Sequence, residues 1–348
     1  MGIRFKFIKA FNGDSILVST KNSNILIDGG TKKTYSIFLK REIESLRDRG
    51  EALDLVVLTH IDSDHIYGII EMLRNEKRLL EENEIVTPII KKVWFNAFEK
   101  KMFSDDFSND TSYGEYKTFR EFISDMDEVI AYNEHLSVDN QIEHLLNDEI
   151  KIRLLSPNDE KLKKLHNRYE DRIEDDFLTS YSKDTNRSIE ELIKLPFKKD
   201  RTQHNGASIA FILEYQEKNY LFLADAHIDL IVESLRNLGY TKENPLKVEF
   251  VKLSHHGSKK NINQDFLDLI RSDNFIILTN GASHGHPDKE ALSRIILNPN
   301  RDFTKRVNFI CNYENILEHN DFSWEEEEKY NFELIYKSQL IIGDKNEK

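Results

Sequence analysis

Cysteine is almost absent from this chain: Cys311 is its single thiol in 348 residues. One cysteine excludes an internal disulfide framework and a thiolate-rich structural metal site, and it suits a reducing compartment. No run approaches the roughly 18 apolar residues of a membrane span. The N-terminal Met1-Gly2-Ile3-Arg4-Phe5-Lys6 has no apolar stretch of signal-peptide length. A soluble, cytoplasmic protein without membrane association is therefore expected. Net positive charge is missing too. The formal charge is −13, which opposes a broad polyanion-binding face, although the decisive charge is the local one and bound divalent ions would dominate it. Basic clusters are confined to Lys198-Lys199-Asp200-Arg201 and Lys259-Lys260, and a solvated surface is the commoner meaning of such runs. Internal repeats and low-complexity tracts are absent.

What is present is concentrated in residues 56–68, Val-Val-Leu-Thr-His-Ile-Asp-Ser-Asp-His-Ile-Tyr-Gly. An apolar run that reads as a buried strand stops at Thr59, and His60, Asp62, Asp64 and His65 follow before a new apolar stretch begins. In extended backbone His60 and Asp62 point the same way and can hold one ion. Asp64 and His65 lie where a loop turns into a helix, aimed at a second position. Imidazole with carboxylate suits zinc, manganese or iron. Aspartate also caps helices, but a cap needs one aspartate and no histidine.

The rest of the chain supplies strands and helices in crossover order. Alternation over residues 3–10, the turn Asn12-Gly13-Asp14, and strands at 15–19 and up to Asp28 lead into Gly29-Gly30. There Asp14 and Asp28 are either turn residues or, for Asp28, a carboxylate that orients a ligand histidine. Helical spacing over 35–49, a strand at 53–59, a helix from about 66 to 75 and a strand at 89–95 follow. Residues 98–200 change character: between Met102 and Glu149 there are thirteen acidic and two basic residues, and the region reads as an acidic, mostly helical insertion or lid carrying one strand at 150–157. From Ala207 the pattern resumes with a hairpin (207–215, 220–223), helices at 228–238, 264–271 and 289–297, and strands at 248–253 and 275–279. Further strands are expected at 307–311 and 332–337. The division is thus 1–97, 98–200, 201–300 and 301–348. Every candidate ligand falls at a strand's C-terminal end, where open α/β sheets place their sites.

The pattern His60-x-Asp62-x-Asp64-His65 resembles the His-x-His-x-Asp-His signature of metallo-β-lactamase-fold hydrolases, with Asp62 where most members carry a second histidine. That variant is similar to the lactamase-like domain of ComEC-type DNA-uptake proteins. Phe11-Asn12-Gly13-Asp14-Ser15, Leu26-Ile27-Asp28-Gly29-Gly30, Phe222-Leu223-Ala224-Asp225-Ala226, Ser254-His255-His256-Gly257-Ser258 and Gly285-His286-Pro287 resemble the family's other motifs. The resemblance covers 1–97 and 203–298 and implies an α/β, four-layer αββα sandwich with a helical insertion.

It further implies two divalent metal ions, zinc or manganese, held by His60, Asp62, Asp64 and His65, with Asp225 as the bridge and His255 completing the second ion. His204 occupies the place of the superfamily's third histidine motif and would complete the first ion, whereas in the closer subgroup Asn205 and Ser208 are the steadier residues. His256 and His286 would ligate, donate a proton to a leaving group, or hold substrate. Asp64 is counted with them as catalytic, and Asp28 and Asn205 as supporting residues. Carboxylate in place of imidazole at 62 shifts preference from zinc toward manganese or magnesium. Paired ions turn water into hydroxide near neutral pH and stabilise both the attacking and the leaving oxygen, which profits phosphodiesters most. The expectation is a binuclear hydrolase of phosphodiester or phosphoester bonds, nucleic acid among them. The alternatives are a hydrolase of a small ester or lactone, or a non-catalytic metal-binding module whose residues 98–200 bind a partner protein.

Overall fold

The computed structural model describes residues 2–96, 111–171, 187–283, 285–318 and 321–343. It divides into two compact units, one of residues 1–136, 166–173 and 338–348, the other of 137–165 and 174–337. Each is built on its own mixed sheet.

In the first unit the strands are β1 (Ile3–Phe7), β2 (Ile16–Ser19), β3 (Asn24–Ile27), β4 (Leu55–Val57), β5 (Lys92–Trp94) and β6 (Ala131–Asn133). β1, β2 and β3 pair antiparallel, whereas β3, β4, β5 and β6 run parallel, and a strand near the chain's end, Gln339–Ile342, flanks β1. β1 alternates buried and less buried positions, while β2, β3 and β4 are buried at every residue. That is the difference between a strand with one wet face and strands covered on both.

The helices of this unit are α1 (Lys32–Thr34), α2 (Lys40–Asp48), α3 (Ser63–Glu81) and α4 (Thr111–Asp125), with a π turn, Tyr35–Leu39, joining the first two. α3 buries His65, Ile66, Ile69, Ile70, Met72, Leu73 and Glu76, the i, i+3, i+4 stripe of a helix lying on a sheet. It is longer at both ends than its apolar run suggests. Ser63 opens it directly after Asp62, and Leu79 and Leu80 carry it through the charged stretch that follows.

Strands of the second unit are β7 (Glu143–Leu145), β8 (Ile150–Ser156), β9 (Ala210–Tyr215), β10 (Lys218–Phe222), β12 (Phe250–Lys252), β14 (Asn274–Ile277), β15 (Val307–Cys311) and β16 (Phe332–Tyr336), in the order β16-β15-β14-β12-β10-β9-β8-β7; β11 (Leu246–Lys247) and β13 (Ile270–Arg271) form a small separate pair. β7 to β10 pair antiparallel, and β10, β12, β14, β15 and β16 are parallel. Its helices are α6 (Ile189–Leu192), α7 (Gln203–Gly206), α8 (Ile228–Asn237), α9 (Gln264–Leu269), α10 (Lys289–Ile296), α11 (Asn315–Glu318) and α12 (Trp324–Tyr330), and α5 (Asp159–Asp171) precedes them. Leu221, Val251, Phe275 and Phe309 from adjacent strands meet Ile231, Phe266 and Leu292 from the helices in one buried core.

The fold class is α/β, as expected. The strand at 150 lies inside the second sheet and pairs with β9. β6, β7 and the strand 339–342 were not foreseen. Each is only three or four residues long, and β6 and β7 are largely exposed, so sheet pairing rather than sequence pattern defines them. Residues 97–110 and 172–186 of the expected insertion lie outside the described residues. Among the described residues no helix is long and apolar enough to cross a membrane.

Candidate metal centre

In the first unit the site grows from the end of β4. Asp62 takes extended backbone and N-caps α3 by position, yet its carboxylate makes no capping hydrogen bond. It lies instead with its Oδ2 3.7 Å from His60 Nε2. In the helix's first turn, Asp64 Oδ1 lies 3.9 Å from His65 Nε2, and the two imidazole centroids are 4.1 Å apart. His60, Asp62, Asp64 and His65 are thus brought together.

One buried carboxylate supports both histidines. Asp28 accepts from Thr59 N at 2.8 Å through Oδ1, and through Oδ2 from Thr59 Oγ1 at 2.7 Å and His65 Nδ1 at 2.8 Å. Thr59 Oγ1, its proton committed to Asp28, is 3.0 Å from His60 Nδ1 and accepts from it. Asp28 therefore fixes the proton of both imidazoles on Nδ1, directly for His65 and through Thr59 for His60, and leaves each Nε2 as the nitrogen that could ligate an ion. Asp14 is buried, and one ligand atom each of Asp14, Asp28 and His65 lie within 4.8 Å of one another. Asn12 Nδ2 donates to Asp64 Oδ2 at 3.0 Å.

The approach of α3 depends on glycine. A Cβ on Gly68 would meet Gly29 O at 1.8 Å, and one on Gly29 would meet Ile69 N at 2.3 Å. Backbone contact at this point lets Gly29 N donate to His65 O and Gly68 N to Gly30 O, at 2.8 and 3.0 Å. Beside the motif Ser63 Oγ donates to Glu115 Oε1 of α4 at 3.1 Å. A hydrogen bond with Glu115, then burial, pushes the Tyr67 phenol up to about 12.

In the second unit, adjacent parallel strands β10, β12 and β14 end in Asp225, in His255 and His256, and in the loop that reaches His286. His255 Nε2 is 3.8 Å from Asp225 Oδ2, and its Nδ1 is 3.6 Å from Asp200 Oδ2 and 3.3 Å from Asn205 Nδ2. Burial opposes charge on His255, but Asp225 and Asp200 outweigh it and its pKa is raised. Burial likewise opposes the charge of Asp200, but His255, His227 and the Asn205 amide hold its carboxyl well below the usual range. His255 and His256 both have positive φ, 47° and 55°, a strained arrangement for residues with side chains and one that clusters at functional sites. His256 Nδ1 donates to Leu278 O at 2.7 Å. The His286 ring centroid is 5.1 Å from that of His255, and its Nδ1 is 3.4 Å from Asp288 Oδ2. Burial lowers the His286 pKa despite Asp288. His204 is buried on α7 next to Asn205, the residue of that helix hydrogen-bonded to Asp200 at 2.7 Å.

Three His–Asp pairs meet through Nε2, His60–Asp62, His65–Asp64 and His255–Asp225, and share one dimension, whereas His255–Asp200 and His286–Asp288 face each other through Nδ1 at 3.6 and 3.4 Å. The three Nε2 to O separations of 3.7, 3.9 and 3.8 Å exceed the roughly 2.7–3.2 Å of a hydrogen bond. Two ligands each about 2.1 Å from a common ion, at tetrahedral to trigonal angles, stand about 3.4–3.6 Å apart. The donor sets therefore fit divalent ions with small adjustment, and the mixture of imidazole and carboxylate suits zinc or manganese.

Sequence reading missed Thr59, Asn12 as a partner of Asp64, Asp200 and Asp288. Asp200 was hidden because Lys198-Lys199-Asp200-Arg201 reads as a basic cluster, yet Lys199 pairs with Asp229 at 2.8 Å and Asp200 turns inward. Asp288 follows the Gly285-His286-Pro287 motif directly and could have been found from it.

Residues 8–99 match the family model of the metallo-beta-lactamase superfamily, so this stretch, ligand loop included, carries the superfamily's pattern. No curated protein matches the sequence. Among solved structures the chain is similar to the metallo-beta-lactamase fold protein YhfI from Bacillus subtilis, at 11% identity, covering 99% of this chain and 100% of that one with a TM-score of 0.45. It is also similar to Zn(2+)-bound PqqB from Methylobacterium extorquens, at 10% identity, 97% and 99% coverage and a TM-score of 0.46. A long form RNase Z from yeast matches at 12% identity, 80% and 36% coverage and a TM-score of 0.40.

Proposed function

We propose that this protein is a binuclear metal-dependent hydrolase acting on phosphodiester or phosphoester bonds. The observation that carries the reading is that three His–Asp pairs each present an imidazole Nε2 to a carboxylate oxygen at a separation too wide for a hydrogen bond and close to the span of a shared ion. His60 and Asp62 would hold one ion and Asp64 and His65 the other, while in the second unit Asp225 and His255 form a further donor pair and His204 lies buried on α7. When bound, such a pair lowers the pKa of water and polarises the ester.

The chain's own residues do the rest. Asp28 and Thr59 keep His60 and His65 in the ligating tautomer, and Asn12 fixes Asp64. His286, kept neutral by burial, can accept a hydrogen bond from substrate or pass a proton on, and His256, with Nδ1 bound to Leu278 O, presents Nε2. The carboxylate at 62 makes the set harder than three imidazoles would and favours manganese beside zinc. Phosphodiesters suit paired ions because both attacking and leaving oxygens gain. Nucleic acid falls within this class through the ComEC-like motif pattern.

The test is hydrolysis of bis-p-nitrophenyl phosphate against p-nitrophenyl acetate and a lactone, for the metal-loaded wild type and Asp64→Ala. The reading expects phosphodiester turnover that falls at least about 100-fold in the variant. Ester or lactone turnover alone would move the assignment to a small-metabolite hydrolase. Bound metal with no turnover on any substrate would favour a non-catalytic module.

A further inference from the structure

We propose that Asp200, which no sequence motif marks, is the positioning residue of His255: it holds the imidazole with its proton on Nδ1 and so turns Nε2 toward Asp225. The inference rests on the reading of His255 and Asp225 as ligands.

The geometry is that of a hub. Asp200 is 95% buried, its relative exposure being 5%. Oδ1 accepts from Thr202 N at 2.9 Å and Thr202 Oγ1 at 2.8 Å, which consumes that oxygen in shaping the turn into α7. Oδ2 accepts from Asn205 Nδ2 at 2.7 Å and Asn261 Nδ2 at 3.4 Å, and faces His255 Nδ1 at 3.6 Å. Asp200 N donates to Lys260 O at 3.1 Å. One carboxylate therefore ties the 200–205 segment to the loop that follows His255, and its second oxygen sits opposite the nitrogen that does not face Asp225.

Direction follows from donor and acceptor roles. Asn205 must present its NH2 to Asp200, because a carboxylate only accepts. That amide group is 3.3 Å from His255 Nδ1 and, taken alone, would favour an unprotonated Nδ1, which puts the proton on Nε2 and blocks ligation. The Asp200 charge opposes this, because a buried anion beside Nδ1 favours a proton there. The two neighbours of His255 thus pull its tautomer in opposite directions, Asn205 from 3.3 Å and Asp200 from 3.6 Å, and the outcome is assigned to the charged one. Ligand histidines commonly depend on such a partner, whose loss costs about 10–100-fold in metal affinity.

Two measurements test the proposal. Long-range 1H–15N correlation spectra of the metal-free wild type, recorded at a pH where His255 is neutral and assigned with His255→Gln, are expected to show its proton on Nδ1. A proton on Nε2 would overturn the proposal whatever the variants do. Chelator-competition titration with manganese or zinc should then show Asp200→Asn binding one ion about 10–100-fold more weakly and the other within about 2-fold of wild type, with His255 shifted to the Nε2-protonated form. Unchanged affinity and tautomer in a folded Asp200→Asn would also overturn it. Should that variant not fold, the wild-type spectrum decides. A wild type that binds no metal would defeat the ligand reading itself while leaving the tautomer result intact, so the two failures are distinguishable.

Discussion

Asp28→Asn is the substitution that separates a site's architecture from its chemistry. Asp28 is fully buried and has positive φ of 56°, a conformation asparagine tolerates far better than alanine, so the backbone survives. Oδ1 can still accept from Thr59 N. The amide nitrogen, however, replaces the oxygen that receives Thr59 Oγ1 at 2.7 Å and His65 Nδ1 at 2.8 Å. The threonine hydroxyl can rotate to accept. The imidazole can relieve two opposed donors only by moving its proton to Nε2, the ligating nitrogen. The same reversal reaches His60, because Thr59 Oγ1 is then engaged differently 3.0 Å from His60 Nδ1. Losing a charged acceptor costs about 1–3 kcal/mol of folding stability. Loss of the supporting carboxylate costs about 10–100-fold in metal affinity, which is about 1.4–2.8 kcal/mol. Denaturant unfolding of the metal-free protein reads the first, and competition with a chelating dye reads the second. An Asp28→Asn protein that binds manganese or zinc as tightly as wild type, with the His65 proton still on Nδ1, would refute this reasoning.

Three further outcomes are expected. Gly68→Ala places a Cβ 1.8 Å from Gly29 O, so α3 must retreat by about 1.6 Å to reach ordinary contact. The cost of about 2–3 kcal/mol exceeds the helix-propensity gain of about 1 kcal/mol, whereas Gly114→Ala in α4, with nothing within 4 Å, is expected to be neutral or stabilising; equal denaturation midpoints for the two variants would contradict the close approach. Burial pushes the Cys311 thiol up to about 12, so iodoacetamide at pH 8 should label it only after unfolding, and rapid labelling of the native protein would be the contrary result. Lys329, then Tyr330, hold Glu190 down at about 2. That is below its unfolded value of about 4.3, so the contribution is present above about pH 4 and is lost as pH falls toward 2. Because Glu190 is 43% exposed, Glu190→Gln should lower the melting temperature by no more than about 2 °C at pH 7 and by clearly less at pH 2, and an equal deficit at both pH values would count against it.

The parts legible in the sequence were those in which local chemistry and long-range packing agree. β2, β3 and β4 are apolar apart from Ser19 and Asn24 at the β2–β3 turn because both their faces are covered, and α8 and α10 carry clear helical stripes. His60, Asp62, Asp64 and His65 stand within six residues, so their assembly is nearly a local matter. What escaped notice depends on distance along the chain. Thr59 is meaningful only once Asp28 is placed against it, 31 residues away. Asp200 reads as one acid in a basic run until it meets His255, and the 339–342 strand has no pattern of its own beyond its pairing with β1. His204 and Asn205 are neighbours in sequence and both buried, and which of the two would face a bound ion is decided by orientation, which composition does not encode.

Whether the purified protein holds a pair of ions is settled by its metal content. Wild type, His60→Ala and His255→Ala would be loaded with manganese or zinc, freed of excess by gel filtration and measured by elemental mass spectrometry. The account predicts about two ions per chain in the wild type and a clear loss in each variant. A wild type without bound metal, or variants that retain wild-type occupancy, would contradict it.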